Sequence, residues 1–429
     1  MSSALRDAII AAIQGWTDQG RRVGETSVRQ MKADAESRQS ELASTLLSRA
    51  REMIPVLAER AATAEAQRSI PAQTIAEFKR AGFFRVIQPK RYDGYELDPQ
   101  IFFDLQMTLA QGCMSSGWVY GVVAVHNWQL GLFDVRAQED VWGKDSSVLI
   151  ASSYMPRGQV ERVDGGFKFR GRWSFSSGVD HADWLFLGGV VPAGNGAGAP
   201  DYRTFLIPRA DISINDNWHT WGLRGTGSKE VVIEDAFVPE YRTHRAIDGF
   251  TGTSPGLSVN QAPLYKLPFG QIFVRAVSSA SIGALEGALE VFRKYASTRV
   301  STNDMSRTAE DPSAGIAAAE AAVAIDDMKL ELHRNFAAMM DTLGRGEPLD
   351  INDRIHYRYQ SAAVAQRCAE HVDRLFHACG GQGIYTDHPI GRFLADIHAA
   401  RLHYANNADK FARNYGGVLL GLANSDFFI

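Results

Sequence analysis

The spacing of apolar residues changes twice along this chain, and no other feature limits its fold so strongly. From residue 41 to 145, apolar side chains recur at steps of three and four, which is the spacing of one helix face. From 146 to 260 the period falls to two, and β-branched and aromatic residues become frequent. The helical period then returns in four long segments, near 273–298, 313–344, 351–379 and 388–416.

This order of elements predicts a mainly α-helical protein with a central β-domain. We expect an N-terminal helical domain over residues 41–145, a middle β-barrel or sandwich domain over 146–260, and a C-terminal four-helix bundle over 261–429. Residues 1–40 are polar and charged, and they predict a separate N-terminal extension. In the middle domain the predicted strands are a hairpin turning at Asp164–Gly166, then Trp184–Val191, Arg203–Pro208 and Glu230–Val238.

Composition excludes several classes of protein. The chain has 45 Lys and Arg against 49 Asp and Glu, with no basic stripe, so we expect neither a nucleic acid nor an anionic membrane as partner. No signal peptide is apparent, and no apolar run approaches the roughly 18–20 residues that span a bilayer. Three widely spaced cysteines predict no disulfide framework, and therefore a cytoplasmic protein. The histidines and cysteines lack the spacing of a metal site.

Two residues of one predicted helix, Trp118 and His126, are the first candidates for chemistry. They are eight positions apart, which sets them about 80° apart around the helix axis, so both can face one cavity. An imidazole titrates near neutral pH and can accept a proton from a phenol. The alternative is a buried tryptophan and a hydrogen-bonded core histidine.

Two serine clusters in the predicted β-domain, Ser152-Ser153-Tyr154 and Phe175-Ser176-Ser177, stand next to aromatic residues. Hydroxyl groups and an aromatic face suit a polar heterocycle such as a flavin. Serine pairs are also ordinary edge and turn residues. The glycine-rich stretch Gly222–Ser228 lacks phosphate-loop spacing and predicts a bulged turn, whereas Cys379–Gly383 predicts a helix C-cap or a backbone that approaches a flavin.

Together these segments resemble a known family, the oxygenase components of group D two-component flavin monooxygenases, which have the acyl-CoA dehydrogenase fold. The resemblance covers residues 50 to 429. Within that family, the chain is similar above all to the phenol hydroxylases. The matching stretches are Ser116–Val119, Val125–Trp128, Leu132–Asp134, Ser176–Ala182, Phe205–Arg209, Gly222–Ser228 and Ala262–Lys266.

The resemblance implies roles for individual residues. His126 matches a base that deprotonates the phenol, Ser152 a serine near flavin N5 that stabilises a C4a-hydroperoxide, and His403 a second active-site histidine. It implies flavin contacts from Trp118, Ser152, Ser153, Tyr154, Phe175, Ser176 and Ser177 of one subunit, and from Arg299, Gly381 and Gln382 of a neighbour, with His403 and Tyr404 close by. At position 175 relatives carry tryptophan, and phenylalanine retains the aromatic face without the indole N–H.

The resemblance also implies an overall reaction. A separate NAD(P)H-dependent flavin reductase would supply reduced FMN, or alternatively FADH2, and O2 would be the co-substrate. A phenol, with a steroid-derived phenol as the leading candidate, would be hydroxylated in the ortho position to a catechol. A homotetramer is implied as well, because this fold completes its flavin site across subunits.

Three alternative functions on the same fold are an acyl-CoA dehydrogenase-like oxidoreductase, a flavin-dependent N-oxygenase and a non-enzymatic flavin-binding scaffold. Dehydrogenases of one large branch use a glutamate late in the bundle, whereas Arg401–Asn407 contains neither Asp nor Glu. The match of Val125–Trp128 to phenol hydroxylases argues against the N-oxygenase.

Overall fold

The computed structural model describes residue 34 and residues 37–192, 201–301 and 305–429. The chain has two compact units, residues 1–48 and residues 49–429. In the first unit, residues 37–48 are helical. Apart from residues 34 and 37–40, the predicted N-terminal extension lies outside the described residues.

The second unit begins with five helices. Asp98 caps α3 by accepting from the Gln100 N–H at 2.8 Å, and Asp134 caps α5 by accepting from the Arg136 N–H at 2.9 Å. Helix α4 is buried along its whole length, so it runs through the interior. The helices are α1 at 49–67, α2 at Ala72–Ala81, α3 at Pro99–Gly112, α4 at Met114–Leu130 and α5 at Val135–Trp142.

A seven-stranded sheet follows in the described residues, with the strand order β5-β6-β2-β1-β3-β4-β7. Strand β1 is parallel to β3 and antiparallel to β2. The rings of Phe169 on β2 and Phe205 on β4 stack at 4.2 Å, although two strands separate them in the sheet. The sheet therefore curves around one core, as predicted. Its strands are β1 at Ile150–Val163, β2 at Gly166–Ser176, β3 at Trp184–Val191, β4 at Asp201–Pro208, β5 at Ser213–Asn215, β6 at Lys229–Pro239 and β7 at Thr243–Arg245.

The strand predictions are largely confirmed. The hairpin turn lies where predicted, since Val163 pairs with Gly166, and β3 has the predicted bounds. The first half of β1 and the short strands β5 and β7 were not predicted. Three-residue strands are too short to show an alternating pattern, because their pairing comes from neighbouring strands.

The C-terminal part is helical, but two of the four predicted segments are wrong in detail. The second and third predicted segments correspond to single helices, α9 and α10. The first is divided near Val277, and the fourth is divided between residues 402 and 407. The helices are α6 at Ala246–Thr251, α7 at Phe269–Ala276, α8 at Ser279–Thr298, α9 at Pro312–Gly344, α10 at Ile351–Ala378, α11 at Ile390–Arg401 and α12 at Ala408–Leu419.

Side-chain hydrogen bonds account for both interruptions. The Asn406 side chain donates to the carbonyl of Val277 at 2.9 Å and to the carbonyl of Ala400 at 2.8 Å. Asn407 caps α12 by accepting from the Lys410 N–H at 3.0 Å. These bonds replace helical ones, and they join the two interruptions. The spacing of apolar residues in the sequence does not predict these hydrogen bonds.

The stretch Phe269–Thr298 is long and apolar enough to cross a membrane by length and composition, and 89% of its most apolar window is buried within the protein. Burial of this kind is typical of a core helix in a soluble protein.

Close packing of α8 on α3 gives a stability prediction. A Cβ at Gly283 would lie 2.0 Å from the Met107 carbonyl oxygen, and one at Gly287 would lie 2.3 Å from that of Gln111. We expect Gly283→Ala to lower the free energy of unfolding by about 1–3 kcal/mol or more, because the backbone of α3 must move. The measurement is denaturant unfolding of the purified protein.

Gly315→Ala is the matched control on α9, where an added Cβ would meet nothing within 4 Å. It should stabilise by about 0.5–1 kcal/mol through helix propensity. Equal effects of the two substitutions would contradict the packing argument.

Candidate active site

His126 on α4 is held against the first residue of β1. Its Nδ1 lies 2.7 Å from the carbonyl oxygen of Ile150. Because a carbonyl only accepts, Nδ1 carries the proton and donates it. Its Nε2 is buried and has no partner among the described residues, so the ring presents a free lone pair.

Burial governs the protonation of this ring. Desolvation lowers the pKa of His126 from 6.5 to about 4, although the bond to Ile150 acts in the opposite direction. The imidazole is therefore neutral at neutral pH, with Nε2 available as a proton acceptor.

Aromatic side chains surround His126. The ring of Phe186 lies edge-on at 5.6 Å, that of Tyr154 at 6.1 Å, and that of Phe273 is stacked at 6.3 Å. Phe269 stacks in turn on Phe273 at 4.8 Å. This lining is apolar, as a site that excludes water requires.

The predicted residues of β1 divide between its two faces. Tyr154 lies on the His126 side, and its hydroxyl donates to the Gln129 side chain on α4. Ser152, two residues earlier in the strand, lies on the same face as Tyr154, because alternate residues of a strand share a face. Ser153 faces the other way and donates to the Ser174 carbonyl at 2.8 Å, so its hydroxyl is already used within the sheet.

A second group forms around Trp118. Its indole Nε1 donates to Ser177 Oγ at 3.2 Å, and Ser177 is linked to Ser228 at 2.7 Å. Ser228 is linked to Thr226 at 2.6 Å. The predicted turn at Gly222–Ser228 therefore supports Trp118 through a chain of hydroxyls, and it contains a short 3-10 turn, Arg224–Thr226, rather than a bulge.

His403 lies beside Trp118 in the same chain, with ring centroids 5.8 Å apart. It occupies the interruption between α11 and α12, where Nδ1 accepts from the Ala405 N–H at 3.1 Å. The proton of the neutral ring is therefore on Nε2. Desolvation, together with the charge of Arg358, lowers the pKa of His403 to about 4.

The two histidines thus have opposite tautomers. His126 offers an acceptor at Nε2, whereas His403 offers a donor at Nε2. Both are neutral at neutral pH. Such a pair can accept a proton at one point and donate a hydrogen bond at another.

Phe175 and Ser176 are the residues that fit a flavin most directly. Phe175 is 63% exposed and has φ +65°, in the left-handed region that β-strand residues rarely adopt. Ser176 is fully buried, and its Oγ has no partner in the described part of the chain. The exposed Phe175 ring suits a flat heterocycle, and the Ser176 hydroxyl, next in the chain, lacks a hydrogen-bond partner among the described residues.

The residues assigned to a neighbouring subunit form a third group. Arg299 Nε donates to the Tyr295 hydroxyl at 3.2 Å, and that hydroxyl donates to the Cys379 carbonyl at 2.8 Å. Gly381 and Gln382 follow Cys379 by two and three residues, in the 3-10 turn Gly380–Ile384 that comes after α10. Within the described ranges, no hydrogen bond, ion pair or ring contact joins this group to Trp118 or His126. Tyr404 is exposed and is hydrogen-bonded by Lys410 of its own chain.

Sequence reasoning missed two residues that organise the site. Gln129 lies three positions after His126, a spacing that indicates a shared helix face. Asp396 on α11 is buried and accepts from the Leu223 N–H at 2.6 Å, so it fixes the turn that supports Trp118. Burial raises the pKa of Asp396 to about 7. No local pattern marks Asp396, because its partner lies 173 residues away.

Known proteins match most of this chain. Residues 276–408 match the family model "Acyl-CoA dehydrogenase, C-terminal domain". The chain is 39% identical over 381 residues to the flavin-dependent monooxygenase oxygenase subunit HsaA of Rhodococcus jostii, covering 88% of this chain and 98% of that protein. It is 29% identical over 389 residues to the oxygenase component of p-hydroxyphenylacetate 3-hydroxylase from Acinetobacter baumannii, covering 88% of this chain and 89% of the relative.

A solved structure gives the same result in three dimensions. The crystal structure of 3-HSA hydroxylase from Rhodococcus sp. RHA1 superposes with a TM-score of 0.86 at 38% identity, covering 90% of this chain and 99% of the other. Identity and coverage at this level identify a family and not only a fold. The chain belongs to the flavin-dependent monooxygenases, as an oxygenase component with the acyl-CoA dehydrogenase fold.

Proposed function

We propose that this oxygenase hydroxylates a phenol in the ortho position to give a catechol, and that a steroid-derived phenol is its leading candidate substrate. The opposite tautomers of His126 and His403 carry this proposal, because the reaction needs a proton acceptor and a hydrogen-bond donor in one dry site. The similarity to HsaA and to 3-HSA hydroxylase supports the substrate class.

The cofactor is reduced flavin, delivered by a separate NAD(P)H-dependent reductase, with FMN expected and FADH2 as the alternative. When bound, reduced flavin activates O2 and supplies the oxygen atom that enters the ring. Trp118, Phe175, Ser176 and Ser177 would hold it on one subunit. The unsatisfied Ser176 hydroxyl and the exposed Phe175 ring fit that assignment.

His126 takes the phenol proton at Nε2. A pKa of about 4 secures the acceptor form at neutral pH, but it also makes the imidazolium unfavourable. Transfer is therefore favourable only while the phenolate stays beside the ring as its counterion. The phenolate then places negative charge on its ortho carbon, the position to be hydroxylated.

Ser152 and His403 donate hydrogen bonds at the reacting centre. The Nε2–H of His403 does not require a charged ring, so it donates without introducing an imidazolium. Ser152 shares its face of β1 with Tyr154, which contacts the His126 ring. Donors fixed in place before the reaction stabilise developing negative charge more effectively than water does.

Aromatic side chains exclude water from this centre. Trp118 is 4% exposed, and Phe186 and Phe273 line the His126 side. Trp128 is fully buried and donates to the Leu264 carbonyl at 2.9 Å, which makes it a second layer behind Phe269.

The first experiment tests flavin chemistry directly. The purified protein is mixed anaerobically with photoreduced FMN and a phenol, then with oxygenated buffer, and oxidised flavin absorbance and catechol are recorded. We expect the return of oxidised flavin to be slower than for free FMN, and catechol to form. Oxidation at the rate of free FMN without catechol would reject the proposal. Bound FAD reduced by an acyl-CoA would then support the dehydrogenase alternative.

A substitution tests the assigned base. His126→Asn should lower catechol formed per reduced flavin by about 100-fold or more, because a positioned base contributes about 10²–10⁴, while flavin oxidation still proceeds. His244→Asn is the matched control. His244 is also buried, and desolvation lowers its pKa to about 4, but it contacts Phe133 and Ser254 instead. Equal losses in both variants would reject the role of His126.

The same assignment fixes a pH dependence. A base acts in its deprotonated form, so kcat/KM should stay level as pH falls through 6.5 and decline only toward about 4. Circular dichroism recorded at each pH distinguishes this decline in kcat/KM from acid unfolding. A fall in kcat/KM near pH 6.5 that is absent in His126→Asn would show that the base is exposed to solvent, and it would contradict the buried site.

The proposed assembly is a cytoplasmic homotetramer in which each flavin site takes Arg299, Gly381 and Gln382 from a neighbour. Subunit complementation tests this sharing. Arg299→Ala and His126→Asn should each be inactive alone, whereas co-expression should restore up to about a quarter of wild-type activity, because some sites in the hybrids then carry neither substitution. No recovery in hybrids isolated with two affinity tags would mean that each chain supplies its whole site.

A further inference from the structure

A fully buried arginine lies behind the site and has no role in the proposed reaction. Arg358 on α10 has no exposed surface. Its Nη2 donates to the Ala405 carbonyl at 2.7 Å and its Nε to the Phe428 carbonyl at 3.1 Å. Its guanidinium carbon lies 3.5 Å from the centroid of the Phe411 ring. No ion pair to a carboxylate is formed by Arg358 within the described ranges, and Nη1 has no partner there.

The two carbonyls belong to segments that support different histidines. Ala405 lies in the turn that His403 begins. The Phe428 ring contacts Phe269 at 5.7 Å, Phe269 stacks on Phe273, and Phe273 stacks on the His126 ring. One guanidinium therefore binds the turn of the donor histidine and the segment behind the aromatic wall of the base.

We propose that Arg358 is a positioning residue that holds both histidines in register and keeps His403 uncharged. The role of Arg358 in catalysis rests on the proposed function, whereas its positioning of the two segments does not. A planar fork with several donors can bind two carbonyls at fixed angles, which neither a lysine nor an apolar side chain can do.

Charge supports the second part of the proposal. Protonation of His403 would turn Nδ1 into a donor that faces the Ala405 N–H donor, and the turn would lose its hydrogen bond. Desolvation lowers the pKa of His403, and the positive charge of Arg358 lowers it further and so opposes that protonation.

Other charged groups nearby do not cancel this effect. Lys410 donates to the Tyr404 hydroxyl and binds Asp426 at 2.6 Å. Asp426 also accepts from the Phe428 N–H at 2.8 Å. Asp426, the carboxylate that acts on Arg358 among the described residues, is thus paired with Lys410, and Arg358 is held by carbonyls and a ring.

Stability alone does not explain a buried cation of this kind. Desolvation lowers the pKa of Arg358 to about 9, which shows that the site disfavours its charge. Methionine at this position would fill a similar volume but would leave the Ala405 and Phe428 carbonyls without their donor. A purely structural role therefore predicts a general loss of stability in Arg358→Met, whereas a positioning role predicts faster exchange in these two segments and a change in the protonation of His403.

The test compares Arg358→Met and Arg358→Lys with Arg275→Met in the full-length protein without flavin. Arg275 is a matched control, because it is buried in the same bundle and donates to the Met328 carbonyl at 3.2 Å, and among the described residues its side chain has no hydrogen bond or ion pair to either segment. Hydrogen exchange followed by mass spectrometry should show at least a tenfold faster exchange in both 402–406 and 425–429 for Arg358→Met. Arg275→Met should leave both segments unchanged.

The protonation of His403 is the second readout. Histidine-labelled protein is titrated by NMR, with His403→Gln identifying the signal. His403 of the wild type should stay neutral to below pH 5, Arg358→Met should move its midpoint toward 6.5, and Arg358→Lys should keep it low while exchange in at least one segment rises. The wild-type titration needs no variant to fold, and a midpoint near 6.5 there overturns the proposal, as does unchanged exchange in Arg358→Met.

Neither readout requires flavin, substrate or reductase. Failure of the phenol reaction would therefore leave the positioning result standing. Conversely, a normal reaction with unchanged exchange would reject only the role of Arg358.

Discussion

The hydrogen bond from His126 Nδ1 to the Ile150 carbonyl is the contact on which the rest of the site depends. It joins the central helix α4 to the first residue of β1, so one bond links the helical and β parts at the reacting centre. It also decides which ring nitrogen is free. Because both partners are buried, loss of the bond would leave a carbonyl unsatisfied as well as releasing the ring. The same hydrogen bond therefore sets both the position of the His126 ring and the nitrogen that can accept a proton.

The interruptions of the C-terminal helices serve the same end. A continuous fourth helix would commit the backbone at His403 to helical hydrogen bonds. In the observed turn, the Nδ1 of His403 caps Ala405, and Asn406 ties the turn to the interruption between α7 and α8. A bundle assembled for packing thereby accommodates a polar centre, and the cost of interrupting two helices is offset by side chains that take over the lost hydrogen bonds.

The sequence was sufficient for features that depend on local periodicity. The helical, β and helical order follows from the spacing of apolar residues, and the placement of Trp118 and His126 on one helix follows from their separation. Alternation along β1 could also have separated Ser152 and Tyr154 from Ser153. The assigned roles of Ser152 and of the group at Arg299 are still predictions.

What the sequence did not provide arises from contacts between distant residues. The interruption at His403 depends on Asn406 reaching Val277, 129 residues away. Asp396 and Arg358 look like ordinary surface-type residues in a helical pattern, because their buried state is a property of the assembled bundle. The tautomers of both histidines likewise depend on backbone atoms brought close by folding, and no residue type encodes them.

Phe175 has a consequence for engineering this enzyme. An aromatic residue held at positive φ costs of order 1 kcal/mol or more, and its ring is exposed to solvent. A search for thermostable variants would favour glycine or asparagine here, since both relieve the strain and remove apolar surface. If the ring covers the flavin, such a variant would gain heat resistance and lose cofactor retention. Selection on melting temperature alone would therefore work against the enzyme at this position.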